Sequence, residues 1–132
     1  MIARVGGSVV KQSEFVDYLM ELLDGFGASA RRMFGGFGIY RDGLMFGLVA
    51  DDELFLKIDE ENEQRFIERE LPNFYYERGG QPYPMSYRQA PPEALDDPAE
   101  MREWAMLAFE AAVRTNAKKK KRPTGKSKSR KV

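Results

Sequence analysis

The amino-acid sequence predicts one α+β domain built on a five-stranded antiparallel sheet, with elements in the order αβββαββα. Three observations carry that expectation. Between Arg31 and Ile58, dense apolar runs are broken by the reversal signals Asp42-Gly43 and Asp51-Asp52, the mark of a β-meander. Apolar residues recur at helical spacing both before and after the strand-rich centre. The chain has 132 residues, enough for one self-sufficient core and too few for two.

Element by element, Ser13 is suited to cap a first helix in which Phe15, Leu19, Leu22 and Leu23 share a face, and Gly25 and Gly27 end it. A first strand follows from Arg31 to Tyr40, with Gly35, Gly36 and Gly38 read as a bulge or a close backbone approach within it. The second strand, Leu44 to Val49, is apolar on both faces and belongs inside the sheet. The third runs from Leu54 to Ile58. Asp59 is placed to cap a second helix over residues 60–70, whose early Glu60, Glu61 and Glu63 suit the positive end of the helix dipole, and Pro72 stops it. Residues 74–78 and 85–89 form two further strands around Gly79-Gly80, with Pro82 and Pro84 at edge or irregular positions. Asp97, Pro98 and Glu100 open a last helix with Met101, Trp104, Ala108 and Ala111 on one stripe.

Composition narrows the chemistry. The chain has no Cys, which removes disulfides, thiol nucleophiles and Cys-ligated zinc. It also has no His, the usual general base at neutral pH and the commonest metal ligand. No apolar run reaches the length of a membrane span and residues 1–12 lack a signal-peptide core, so a cytoplasmic location is expected.

The formal charge of zero conceals two opposite regions. Lys118, Lys119, Lys120, Lys121, Arg122, Lys126, Lys128, Arg130 and Lys131 place nine cations in the last fifteen residues, which leaves the preceding body at about minus nine. Residues 1–12 read as an extension, 13–116 as the domain and 117–132 as a disordered basic tail, because that tail is too polar to offset the entropy of ordering. These nine residues are the candidate nucleic-acid contacts. They can neutralise phosphates without reading bases, and no aromatic residue between them offers a stacking platform.

Other candidate chemistry is weaker. The four glycines at 35, 36, 38 and 43 match no phosphate-binding pattern. Asp51, Asp52, Asp59 and Glu61 would suit a hard cation if the fold brought them together, and a ligand-binding or catalytic domain built on these carboxylates is the alternative reading. Ser8 to Lys11 spells SxxK without the partner motifs of that enzyme class, and Ser86 has no histidine to deprotonate it. Met33, Phe34, Phe37, Met45, Phe46, Phe55 and Trp104 are expected in the core. A sheet covered by helices on one face leaves the other open, so Met45, Val49 and Phe55 are the candidate protein-interaction residues, for a partner or a second copy.

Met33, Phe34, Gly35 and Gly36, then Gly38, Ile39 and Tyr40, the pair Leu56 and Lys57, and Met85, Ser86 and Tyr87 together resemble the TfoX N-terminal domain family over about residues 13–115. That resemblance implies a two-layer fold like that of secretion chaperones, with sheet order 5-4-1-2-3. It also implies a non-enzymatic module without cofactor, related to bacterial regulators of natural competence that act with the cyclic AMP receptor protein at promoters. Full-length relatives carry a further helical domain; here the basic tail stands in that place.

Overall fold

The computed structural model describes residues 13–33 and 35–121. Helix α1 (Glu14–Leu22) begins where Ser13 Oγ accepts the Val16 amide at 3.1 Å, and it buries Val16, Leu19 and Leu22. After Gly25 and Gly27, both at φ 85°, come β1 (Ser29–Met33), β2 (Gly36–Arg41), β3 (Leu44–Ala50) and β4 (Glu53–Lys57). Helix α2 (Glu63–Ile67), β5 (Asn73–Arg78), β6 (Gln81–Gln89), a 3₁₀ turn (Pro92–Leu95) and α3 (Pro98–Lys121) complete the chain.

The mixed α+β architecture with an open antiparallel sheet agrees with the expectation, but the sheet has six strands in the order β1-β2-β3-β4-β6-β5. The expected first strand is two. Gly35, at φ 80°, lies in a two-residue reversal, so β1 folds back on β2 with Ser29 opposite Tyr40 and Met33 opposite Gly36. The expected order 5-4-1-2-3 fails for the same reason: β1 occupies the free edge of β2. The β5–β6 hairpin therefore joins the other edge, where β6 pairs with β4 from Phe55 opposite Gln89 to Lys57 opposite Tyr87.

Two-residue reversals set the rest of the register. Asp42 and Gly43 (φ 51° and 78°), Asp51 and Asp52 (51° and 58°) and Gly79 and Gly80 (53° and 79°) all adopt the positive φ that tight hairpins demand. The helix expected over residues 60–70 shrinks to five residues. Asp59 Oδ1 caps the turn before it instead, accepting the amides of Glu61 and Asn62.

All three helices lie on one face of the sheet. There Phe37, Ile39, Phe46, Val49, Leu54, Leu56 and Ile58 meet Leu19, Phe66, Met101, Trp104 and Ala108 in the principal core. Phe66 and Trp104 pack edge to face with centroids 5.1 Å apart. Asn62, 2 % exposed, ties β4 to α3 through Nδ2, which donates to the carbonyls of Lys57 and Leu107, while Oδ1 accepts the Asp59 amide. Asp97 Oδ1 caps α3 by accepting the Ala99 amide.

Helix α3 runs on to Lys121, past the expected start of the tail at residue 117. Alanine and lysine favour helix. Arg114 and Lys118, one turn apart, reach Asp59 and Glu60. Residues 1–12, Phe34 and residues 122–132 lie outside the described residues, and with them the SxxK motif and Arg122, Lys126, Lys128, Arg130 and Lys131.

Candidate functional site

The face without helices carries a smaller apolar cluster: buried Leu48, Phe55 and Tyr87, with Met45, Ala50 and Phe74 packed against it. Phe55 and Phe74 have ring centroids 4.8 Å apart. A β-bulge produces this face. Ile39 pairs with Gly47 but Tyr40 pairs with Met45, so Phe46 is the extra residue and strand alternation shifts by one beyond it. Leu48 thereby joins Met45 on the open face, whereas Val49 turns to the helix side at 2 % exposure. Of the expected trio, Met45 and Phe55 share the open face, while Val49 packs in the principal core and, with Met45, also lines the groove on the open side.

Above this cluster lies a groove of about 340 Å³, lined by Met33, Met45, Leu48, Phe74, Tyr76 and Met85, with Val49 and Ala50 of β3 also on its wall. These residues come from both ends of the sheet, so its outer strands curl over the open face. The first half of β6 pairs with β5 alone, which makes the hairpin tip a two-stranded ribbon with Pro82 and Pro84 where no further strand pairs. Tyr75, Tyr76, Tyr83 and Met85 are exposed along it.

The glycines shape the groove. A Cβ on Gly36 would lie 2.1 Å from the Val49 carbonyl oxygen, so only glycine allows β2 and β3 to approach there. A Cβ on Gly38 would meet the sulfurs of Met33 and Met45, each at 2.8 Å. Their work is close packing between strands rather than cradling a phosphate.

The carboxylates are dispersed. Asp51 and Asp52 sit in the β3–β4 turn, Asp59 and Glu61 beyond the opposite end of β4. Asp59 is engaged by Arg114, whose Nε and Nη2 donate to it at 2.6 and 3.0 Å, and this hydrogen-bonded guanidinium holds the Asp59 carboxyl below its ordinary range. Among the described residues, no group of three or more acidic side chains is placed to hold a metal ion. Ser86 is exposed in β6, its carbonyl accepting the Ile58 amide. Of the basic candidates, Lys118 reaches Glu60 at 3.5 Å. Lys119 and Lys120 have no ion pair among the described residues.

One recess escaped the sequence reading. Where α3 passes the end of the sheet, Lys57, Tyr87, Thr115, Asn116 and Lys119, with Leu44, Met45 and Ala112, line a hollow of about 250 Å³. The signal was present but unreadable, since Lys57 closes an apolar strand and Tyr87 lies in a run of ordinary strand residues.

Fold and groove together define a small α+β domain with helices on one sheet face and an open apolar depression on the other. The family model of the TfoX N-terminal domain matches residues 21–112, well over half of the chain, and the protein belongs to that family. No curated protein matches the sequence. Among the described residues, no helix is long and apolar enough to cross a membrane.

Proposed function

We propose that the chain is a non-enzymatic, regulatory interaction module of the cytoplasm that docks a partner protein in the open-face groove. One observation carries this reading. The groove is walled by methionine and aromatic side chains, which adapt to apolar partners and present large contact area with few polar constraints. The occupant that fits is an apolar side-chain cluster on a partner segment, and a second copy of this chain is the competing occupant. Membership of the TfoX family supports a regulatory setting such as transcription and competence.

Peptides selected from a displayed library against the immobilised protein test the groove. Met45→Lys is expected to weaken the selected peptides by about tenfold or more, with an unchanged circular dichroism spectrum, while Val113→Lys on α3 leaves them bound. Equal binding to both variants would show that the groove is not the interface. Concentration-dependent sedimentation abolished by Met45→Lys would assign the face to self-association.

Nucleic-acid contact through the basic residues is the second reading, favoured by the continuation of α3 into Lys118–Lys121 as a cationic helical end. Gel-shift titrations at several ionic strengths should show salt-sensitive binding that is lost when residues 122–132 are deleted and Lys118, Lys119, Lys120 and Lys121 are changed to Gln. Retained binding would remove this reading and leave the docking reading untouched.

A further inference from the structure

The recess at the end of the sheet holds an unusual polar set. Lys57 is half-buried, and its ammonium sits 5.2 Å from the centroid of the Tyr87 ring. Among the described residues neither Lys57 nor Lys119 has an ion pair. The nearby carboxylates are already committed: Asp59 and Glu61 to Arg114, and Glu60 to Lys118. Burial lowers the Lys57 pKa, the like charge of Lys119 lowers it further, and Asp59 opposes both.

Tyr87 supplies an independent observation. It is 6 % exposed, it lines the recess, and its hydroxyl makes no hydrogen bond among the described residues. A buried hydroxyl without a partner carries a desolvation cost, and such groups call for an explanation. Burial drives its pKa well above the ordinary phenol range, so it remains a donor at neutral pH. The side chains of Thr115 and Asn116, also on the wall, are likewise without hydrogen bonds among the described residues.

We infer that this recess is a binding site for a small molecule bearing a phosphate or carboxylate group, held by Lys57 and Lys119 with donors from Tyr87, Thr115 and Asn116. An anion there neutralises two converging ammonium groups and satisfies the buried phenol in a single event. With a volume of about 250 Å³ the recess takes the charged group and a short stem rather than a whole nucleotide. The recess adjoins the groove, with Met45 on the wall of both, but its cationic and hydroxyl groups are not groove residues, so Lys119→Gln tests the anion site without touching the docking surface.

Amide chemical-shift titrations of the full chain with pyrophosphate and, separately, succinate test the site. Saturable shifts at Tyr87, Thr115 and Asn116 are expected with one or both, and the stronger probe identifies the anion class. Lys57→Met and Lys119→Gln should each weaken binding by about tenfold, the loss of one charge-assisted hydrogen bond. Lys119 is exposed, so its substitution leaves the fold intact and keeps the test valid should Lys57→Met unfold. Tyr87→Phe should weaken binding several-fold without lowering the melting temperature. Lys120→Gln, and a chain with Lys126, Lys128, Arg130 and Lys131 all changed to Gln, should bind as before. No saturable shift with either probe, or binding lost with the tail charges and kept in Lys119→Gln, would overturn the assignment.

Discussion

Met45 and Phe46 are neighbours in β3, yet they belong to different regimes on the two faces of one sheet. Phe46, 1 % exposed, is enclosed by Phe26 and Phe109 with ring centroids 5.5 and 6.3 Å away. Met45 is half-buried against a cluster of three buried residues, on the face that the principal core does not occupy. The covered face is where burial stabilises the fold. The open face has too little cover to contribute comparably, and it is the surface on which the proposed docking rests.

The largest expected effect is Phe46→Ala, a loss of about 3–5 kcal/mol by denaturant unfolding, while Met45→Ala costs less than about 1.5 kcal/mol because its site is already half open. Equal losses would erase the contrast between the faces. Next, Gly36→Ala should destabilise by about 2–3 kcal/mol, because its methyl would strike the Val49 carbonyl, a backbone atom that cannot turn aside. A neutral result would mean that β2 and β3 separate freely, and the groove floor with them.

A smaller loss, about 1–2 kcal/mol, is expected for Arg114→Met, which strips Asp59 of its guanidinium hydrogen bonds. The Asp59 pKa is depressed in the folded state, so its contribution is present above the unfolded carboxylate pKa near 3.8 and fades as pH falls through the lower folded value. Stability of the parent chain should therefore drop on acidification below about pH 4 more steeply than that of Arg114→Met. Parallel acid profiles would show that the pair contributes nothing pH-dependent. The smallest effect belongs to the ribbon: Tyr75→Ser, at a position 58 % exposed, should change stability by no more than about 0.5 kcal/mol. A larger loss would show that the ribbon is part of the covered core's cooperative unit.

Much of the architecture was legible because it is written in local chemistry. Ser13 and Asp97 cap helices as read, the Asp42-Gly43, Asp51-Asp52 and Gly79-Gly80 turns fall where expected, and β3 is interior. Met101, Trp104, Ala108 and Ala111 are all buried. The candidate site was only half legible. Met45 and Phe55 lie on the open face, but the bulge at Phe46 exchanged Leu48 for Val49, and period-two reasoning has no means of seeing an inserted residue. The recess at Lys57, Tyr87 and Lys119 left no linear trace, because these wall residues are spread over more than 60 positions of sequence.

Local sequence thus determined three of the four hairpin turns, the helix caps at Ser13 and Asp97, and the lack of Cys and His, but not the reversal at Gly35 or the length of α2. Tertiary structure alone decided the sheet order, the face each residue of β3 presents, and the meeting of Lys57, Tyr87 and Lys119. The physical reason is range. Caps and turns are settled by groups within four residues of one another, whereas edge occupancy and pocket walls depend on pairing between distant strands. Here β1 occupies the edge of β2, and β6 pairs with β4.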